Sequence, residues 1–158
     1  DLFRYHIQGS TDLGILAKSY MDKGDLVPDQ VTIDMLEETV TQNSNVEGFI
    51  FDGFPRTTGQ AEALDTFLNN KSMSITATIA LETNDKILIE RLINRGKTSG
   101  RVDDQDEIKI RNRFEEYNNK TAPLKSFYST QGKFYSVNGI GSVEEITQRL
   151  TKLIDGFL

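Results

Sequence analysis

Residues 48–61, Gly48-Phe-Ile-Phe-Asp-Gly-Phe-Pro-Arg-Thr-Thr-Gly-Gln-Ala61, set an apolar run, an acid, a turn, an arginine and an amide in strict order. Phe49-Ile50-Phe51 has the pattern of a short interior parallel strand. Asp52 is the first polar residue at its carboxyl end, where open α/β sheets bind ligands, and a carboxylate there can hold magnesium or its water shell. Gly53 allows close backbone approach, Pro55 stiffens the turn, and Arg56 presents a planar, permanently charged fork suited to phosphate. Gln60 then opens an amphipathic helix with one amide acceptor and two donors able to read a base edge. A bare Asp-Gly step would be an ordinary turn, but here many specified positions follow one another.

Outward from this run the chain alternates between helical and strand patterns. Upstream, the spacing predicts helices over residues 1–8 and 11–23, the second with Leu13, Leu16, Ala17 and Tyr20 as its apolar stripe. Gly24 ends it. Pro28-Asp29 opens a further helix carrying Ile33, Leu36 and Val40, with Asp29 as a candidate cap. Downstream come a helix over 58–68 with Ala61, Leu64 and Leu68 on one face, a strand over 75–81, and a helix over 84–95. The polar loop 96–104 follows, then helices over 106–119 and 123–130 and a strand over 134–137. Ser142-x-x-Glu145 is a capping box for a last helix whose buried face would be Val143, Ile146, Leu150, Leu153 and Phe157. Three strands are thus expected, in an α/β fold with helices on both faces of a parallel sheet.

Composition narrows the function classes. The 158 residues, 37% hydrophobic and 27% charged, suffice for a substantial core. The longest apolar runs fall far short of a membrane span. Cysteine is absent, which removes disulfides and cysteine zinc sites. A net charge of −6 disfavours nucleic acid and anionic membrane as partners, so a small polyanion would have to be held by local arginines. His6, the single histidine, is read as an ordinary polar helix position.

The run Asp52-Gly53-Phe54-Pro55-Arg56 with Gln60, together with the arginine order along nearly the whole chain, resembles the adenylate kinase family in its short-lid form. The resemblance implies a P-loop kinase-like parallel core at 46–95 and 105–158, a helical monophosphate-binding region at 1–45, and a short lid at 96–104 within a single nucleotide kinase domain. It implies reversible phosphoryl transfer from ATP to AMP giving two ADP, in a cytoplasmic, monomeric enzyme using Mg2+ with ATP and no zinc. AMP would be bound by Arg4, Asp25, Leu26, Val27, Gly53, Phe54, Pro55, Arg56, Gln60, Arg101 and Arg113. Arg101 and Arg113 would close over the transferring group, with Arg111 competing for the second of these places. Arg95 would contact ATP phosphates and Arg91 stack on the ATP adenine, with the loop Asn138 to Gly141 reading its amino group. Asp52 would act on the metal indirectly, through water, and Asp103-Asp104 would support the lid. Arg56, Arg95, Arg101 and Arg113 form the implied catalytic set, because guanidinium groups stabilise charge on transferring phosphoryl oxygens.

Gly96-Lys97-Thr98 has the ending of a phosphate loop, but the earlier glycine position is Arg91 and a helix precedes it, so the motif fails. The resemblance implies a leading strand and phosphate loop that are not among these residues. The chain is therefore read as amino-terminally incomplete, with activity expected of the intact parent and little or none of these residues alone. Gln60 and Ala61 favour adenine as acceptor base. A UMP or CMP kinase, or a noncatalytic nucleotide-binding fragment, are the alternatives.

Overall fold

The computed structural model describes residues 2–23, 27–99 and 107–157. Two compact units emerge, one formed by residues 1–55 and 59–73, the other by 56–58 and 74–158.

The first unit is helical. Helix α1 spans Leu2–Gln8, α2 Asp12–Lys23, α3 Asp29–Gln42 and α4 Thr58–Asn70, of which all but Thr58 belongs here. Its core gathers Ala17 from α2 with Val31 and Met35 from α3, flanked by Leu2, Phe3, Leu13 and Val27. Val31 and Met35 are one helical turn apart on one side of α3, and the expected Ile33, Leu36 and Val40, on its other side, are buried as well. Leu16, in contrast, is 43% exposed, which narrows the α2 stripe. Helices α1 and α2 approach closely at Gly14, where any Cβ would run into the His6 carbonyl. His6 lies 1% exposed in the corner between these helices. Its Nδ1 bonds to Thr11 Oγ1 at 2.9 Å, and the same hydroxyl oxygen accepts the Gly14 N–H at 3.1 Å, capping α2. Further along, Ala61, Leu64 and Leu68 of α4 are buried as their spacing predicts.

Residues 49–51 are not a strand. The Phe49 and Phe51 rings stack 6.1 Å apart, as alternate residues of an extended chain do, while Ile50 is 91% exposed. Extended conformation is present, but a strand also needs a ladder partner, and among the described residues this segment has none. Among the described residues the expected three strands are accordingly two.

The second unit holds both of them. Strand β1, Thr78–Glu82, pairs in parallel with β2, Phe134–Asn138, in the register Thr78 to Phe134 through Glu82 to Asn138. A parallel pair cannot be closed by a hairpin, and the long crossover is helical. It comprises α5, Asp85–Ser99, α6, Glu107–Glu116, a π-helical turn, Tyr117–Thr121, and α7, Leu124–Thr130. Asn84 caps α5 by accepting the Ile87 N–H at 2.9 Å. Helix α5 continues through Ser99, beyond the expected stop at Arg95. A lone glycine costs about 1 kcal/mol in a helix, too little to break one that meets no proline. Gly96 to Ser99 thus belong to α5 rather than to a loop, and the remainder of the expected lid, 100–104, lies outside the described residues.

Helix α8, Val143–Ile154, starts with the capping box read from its sequence: Glu145 N–H donates to Ser142 Oγ at 3.3 Å, and Ser142 N–H to Glu145 Oε2 at 2.8 Å. The expected buried face is only half-buried at Ile146, Leu150, Leu153 and Phe157, and Val143 is 76% exposed. Phe157 meets Tyr135 of β2 edge to face, the ring centroids 4.8 Å apart.

Candidate functional site

In the helical unit the candidate acceptor-side residues lie on α1, before α3, in the turn after residue 52 and in the first turn of α4. Arg4 is exposed on α1, and Val27 precedes α3 and joins the core beside Ala17, whereas Asp25 and Leu26 lie outside the described residues. Asp52 is exposed and, with Phe49, Phe51 and Phe54, lines a cleft closed on its other side by Leu2, Leu36 and Val40. Gly53 has φ +73°, a value glycine adopts without the Cβ clash of other residues, and turns the chain toward Phe54-Pro55, whose peptide bond is cis. Gln60, in the first turn of α4, is buried to 7% exposure, and its Nε2 donates to Asp29 Oδ1 at 2.7 Å. Asp29 is therefore not the cap of α3. Pro28 holds the cap position without a side-chain cap bond, and the carboxylate of Asp29 turns to Gln60 instead.

In the second unit, Arg56 is exposed, and its carbonyl accepts from Thr121 Oγ1 at 2.9 Å. Thr121 ends the π-helical turn, in which Ala122 N–H reaches back five residues to Tyr117 O at 2.8 Å. Such turns are frequent at functional sites because they re-aim a residue without ending the helix. Arg91 and Arg95 are exposed on α5 one turn apart. Arg111 and Arg113 both lie within α6, while Arg101, Asp103 and Asp104 fall outside the described residues.

The loop after β2 is built of carbonyls held by arginines. It begins at the carboxyl end of the parallel pair, where Gly139 N–H donates to Glu82 O at 2.7 Å. A Cβ at Gly139 would stand 3.1 Å from that oxygen, tighter than packing allows without a shift. Arg91 donates to Gly139 O at 2.7 Å and to Gly141 O at 3.2 Å. Arg149 of α8 donates to Asn138 O and to Ile140 O, each at 2.7 Å. Gly141 sits at φ +126°, where a Cβ would also strike the Glu145 carboxylate. Arg91 and Gly141, both singled out from the sequence, are thus brought together. Arg149 and Thr121 were not singled out. The one available signal for Arg149 was its position seven residues, two turns, after the Ser142 cap and hence on the loop side of α8.

A nucleotide-bound magnesium ion keeps several waters and needs one or two carboxylates rather than an all-protein cage. An exposed Asp52 carboxylate suits such a water-mediated role, and among the described residues no cluster of three or more His, Cys, Asp or Glu could hold an ion directly. No helix among the described residues is long and apolar enough to cross a membrane.

A parallel β pair with a helical crossover, a glycine turn followed by Arg56, and arginines arrayed along α5 define an α/β protein of kinase-like build. The adenylate kinase family model matches residues 1–133. An adenylate kinase from Flavobacterium psychrophilum is 63% identical over 155 residues, covering 98% of this chain and 82% of the relative. An adenylate kinase from Porphyromonas gingivalis is 43% identical, covering 99% of this chain and 80% of the relative, and one from Leptospira biflexa is 43% identical over 98% and 82%. The chain belongs to the adenylate kinase family.

Proposed function

We propose that the protein catalyses reversible phosphoryl transfer from ATP to AMP, yielding two ADP. The observation that carries this reading is the 63% identity to an adenylate kinase over 98% of the chain. Phosphoryl transfer asks the protein mainly for positioning and charge stabilisation, which is what a set of arginines and backbone donors supplies. Arg56, Arg95, Arg101 and Arg113 would hold the transferring group and its neighbours. Arg4, Asp25, Leu26, Val27 and the turn Gly53 to Pro55 would surround AMP, with Gln60 on its base.

On the donor side, the carbonyls of Gly139 and Gly141 would accept from the adenine amino group of ATP. The Arg91 guanidinium, which donates N–H groups to those two oxygens, supports this reading by showing that the loop takes donors of that kind. ATP would then replace these contacts and leave Arg91 to lie against the purine face. Mg2+ bound with ATP would neutralise developing phosphate charge, and Asp52 would orient its waters. We take the enzyme to be monomeric and cytoplasmic.

The deciding measurement is initial rate of ADP formation with ATP and each of AMP, CMP and UMP. A strong preference for AMP is expected. A preference for CMP or UMP would assign the protein to another monophosphate.

A further inference from the structure

We propose that Thr121 is a positioning residue for Arg56: the π-helical turn directs the Thr121 hydroxyl away from its own helix and onto the Arg56 carbonyl, and this sets where the guanidinium stands for phosphoryl transfer. The inference rests on the reading of Arg56 as a residue that meets the transferring group.

Threonine in a helix ordinarily gives its hydroxyl to the carbonyl three or four residues earlier. This chain does so repeatedly: Thr39 donates to Met35 O, Thr66 to Glu62 O and Thr147 to Val143 O, each at 2.8 or 2.9 Å. Thr121 departs from that habit. The carbonyl four residues before it, Tyr117 O, receives the Ala122 N–H at 2.8 Å, and the hydroxyl donates instead to Arg56 O at 2.9 Å, 65 residues away in the chain. A π-helical turn holds one residue more than an α-helical one between its bonded groups, which re-aims side chains about the axis, and such turns recur at functional sites.

Both ends of the bond belong to the second unit. Arg56 stands between Pro55 and α4, in neither helix nor strand, so no repeating ladder fixes its peptide planes. A bond to its carbonyl orients the plane that follows Cα, and through it the direction in which Cβ leaves the backbone. Whatever the guanidinium touches, the bond acts on the backbone from which it springs. An arginine that stabilises charge in a transition state must be held in place beforehand, and a misplacement of about 1 Å can lower a rate by about 10². Thr121 also ends a segment continuous with α6, the helix that carries Arg111 and Arg113. The tie thus joins the backbone of Arg56 to the segment holding both candidates for the second lid-side arginine.

The test is a double-mutant cycle: kcat and KM for AMP in wild type, Thr121→Val, Arg56→Ala and the double variant, with Thr121→Ser as the conservative control and Tm measured on each. Valine keeps the shape and removes the donor. We expect kcat/KM for AMP to fall about tenfold in Thr121→Val and to return to within about twofold of wild type in Thr121→Ser. Adding Thr121→Val to Arg56→Ala should bring no further fall, because the residue acts through the side chain already removed. An equal fall in both backgrounds overturns the proposal by making Thr121 a tether that works independently of the guanidinium. Unaltered turnover in Thr121→Val overturns it too, as does a valine variant without a cooperative thermal transition, which would make the residue a support of the fold. Near-normal turnover in Arg56→Ala beside a loss in Thr121→Val takes Arg56 out of the site, and the inference goes with it.

Discussion

Arg91 and Arg149 divide one loop between them: the first takes the carbonyls of Gly139 and Gly141, the second those of Asn138 and Ile140. Arg91 stands where the donor base is expected, whereas Arg149 comes from α8 and holds the carbonyls between. The loop shape therefore depends on a residue that need not meet the nucleotide. Arg149→Ala removes two charge-assisted hydrogen bonds in a solvent-accessible setting, a loss of about 1 kcal/mol. The KM for ATP should rise about fivefold by that loss, with the KM for AMP unchanged. Steady-state rates with ATP varied at saturating AMP give the answer. An unaltered ATP KM would mean that the loop keeps its form without Arg149.

Arg56 follows the cis Phe54-Pro55 bond, and its carbonyl is fastened by the Thr121 hydroxyl. Its side chain is expected to meet the phosphoryl group under transfer. Removing one such donor from a transition state costs on the order of 10²–10³ in kcat, which is the expectation for Arg56→Ala in a coupled ADP assay. Arg56→Lys should recover only part, since a point charge lacks the planar fork. Near-normal turnover with unchanged AMP affinity in Arg56→Ala would take the residue out of the site.

Gly14→Ala should destabilise, against the usual trend. Alanine in a helix interior normally gains about 0.5–1 kcal/mol over glycine. At this position the added methyl collides with the His6 backbone carbonyl, which is no flexible side-chain end. Forcing α1 and α2 apart should cost about 1–3 kcal/mol net, read as a lower urea midpoint. Gly48→Ala is the control, because nothing lies within 4 Å of a Cβ there.

Acid sensitivity should include a small contribution from the start of α8. The Glu144 carboxyl is held below its ordinary value, first by its own backbone N–H and then by the Ser142 side chain, with desolvation acting the other way. A carboxyl whose pKa is lower in the folded state adds stability above its unfolded value, and this is lost as pH falls through the folded one. Glu144→Gln should thus narrow the Tm difference between pH 7 and a pH below about 4, the lower edge of the ordinary glutamate range. Being fully exposed, the group contributes little. A Tm difference equal in wild type and variant would assign the acid response elsewhere.

The sequence by itself determined the features that rest on local chemistry. The Ser142 to Glu145 capping box needs four consecutive residues and nothing else, and it forms as read. The faces of α3 and α4 follow from helical spacing, so Leu36, Val40, Ala61, Leu64 and Leu68 are buried where their periodicity puts them. The family was also visible, because the run from Asp52 to Gln60 specifies so many positions in order.

Tertiary structure decided whatever needed a second segment. Phe49 to Phe51 has the composition of a strand, but pairing is a property of two strands, and Ile50 is left 91% exposed. Helix α5 passes Gly96 because one glycine is too weak a signal to stop it. Asp29 had two possible tasks, and only the approach of Gln60, 31 residues away, turned it from cap to partner. His6 reads from sequence only as an ordinary polar helix position, and it is buried where Gly14 brings α2 against its backbone. Local sequence states which bonds a residue can make, and the fold chooses among them by bringing distant groups within reach.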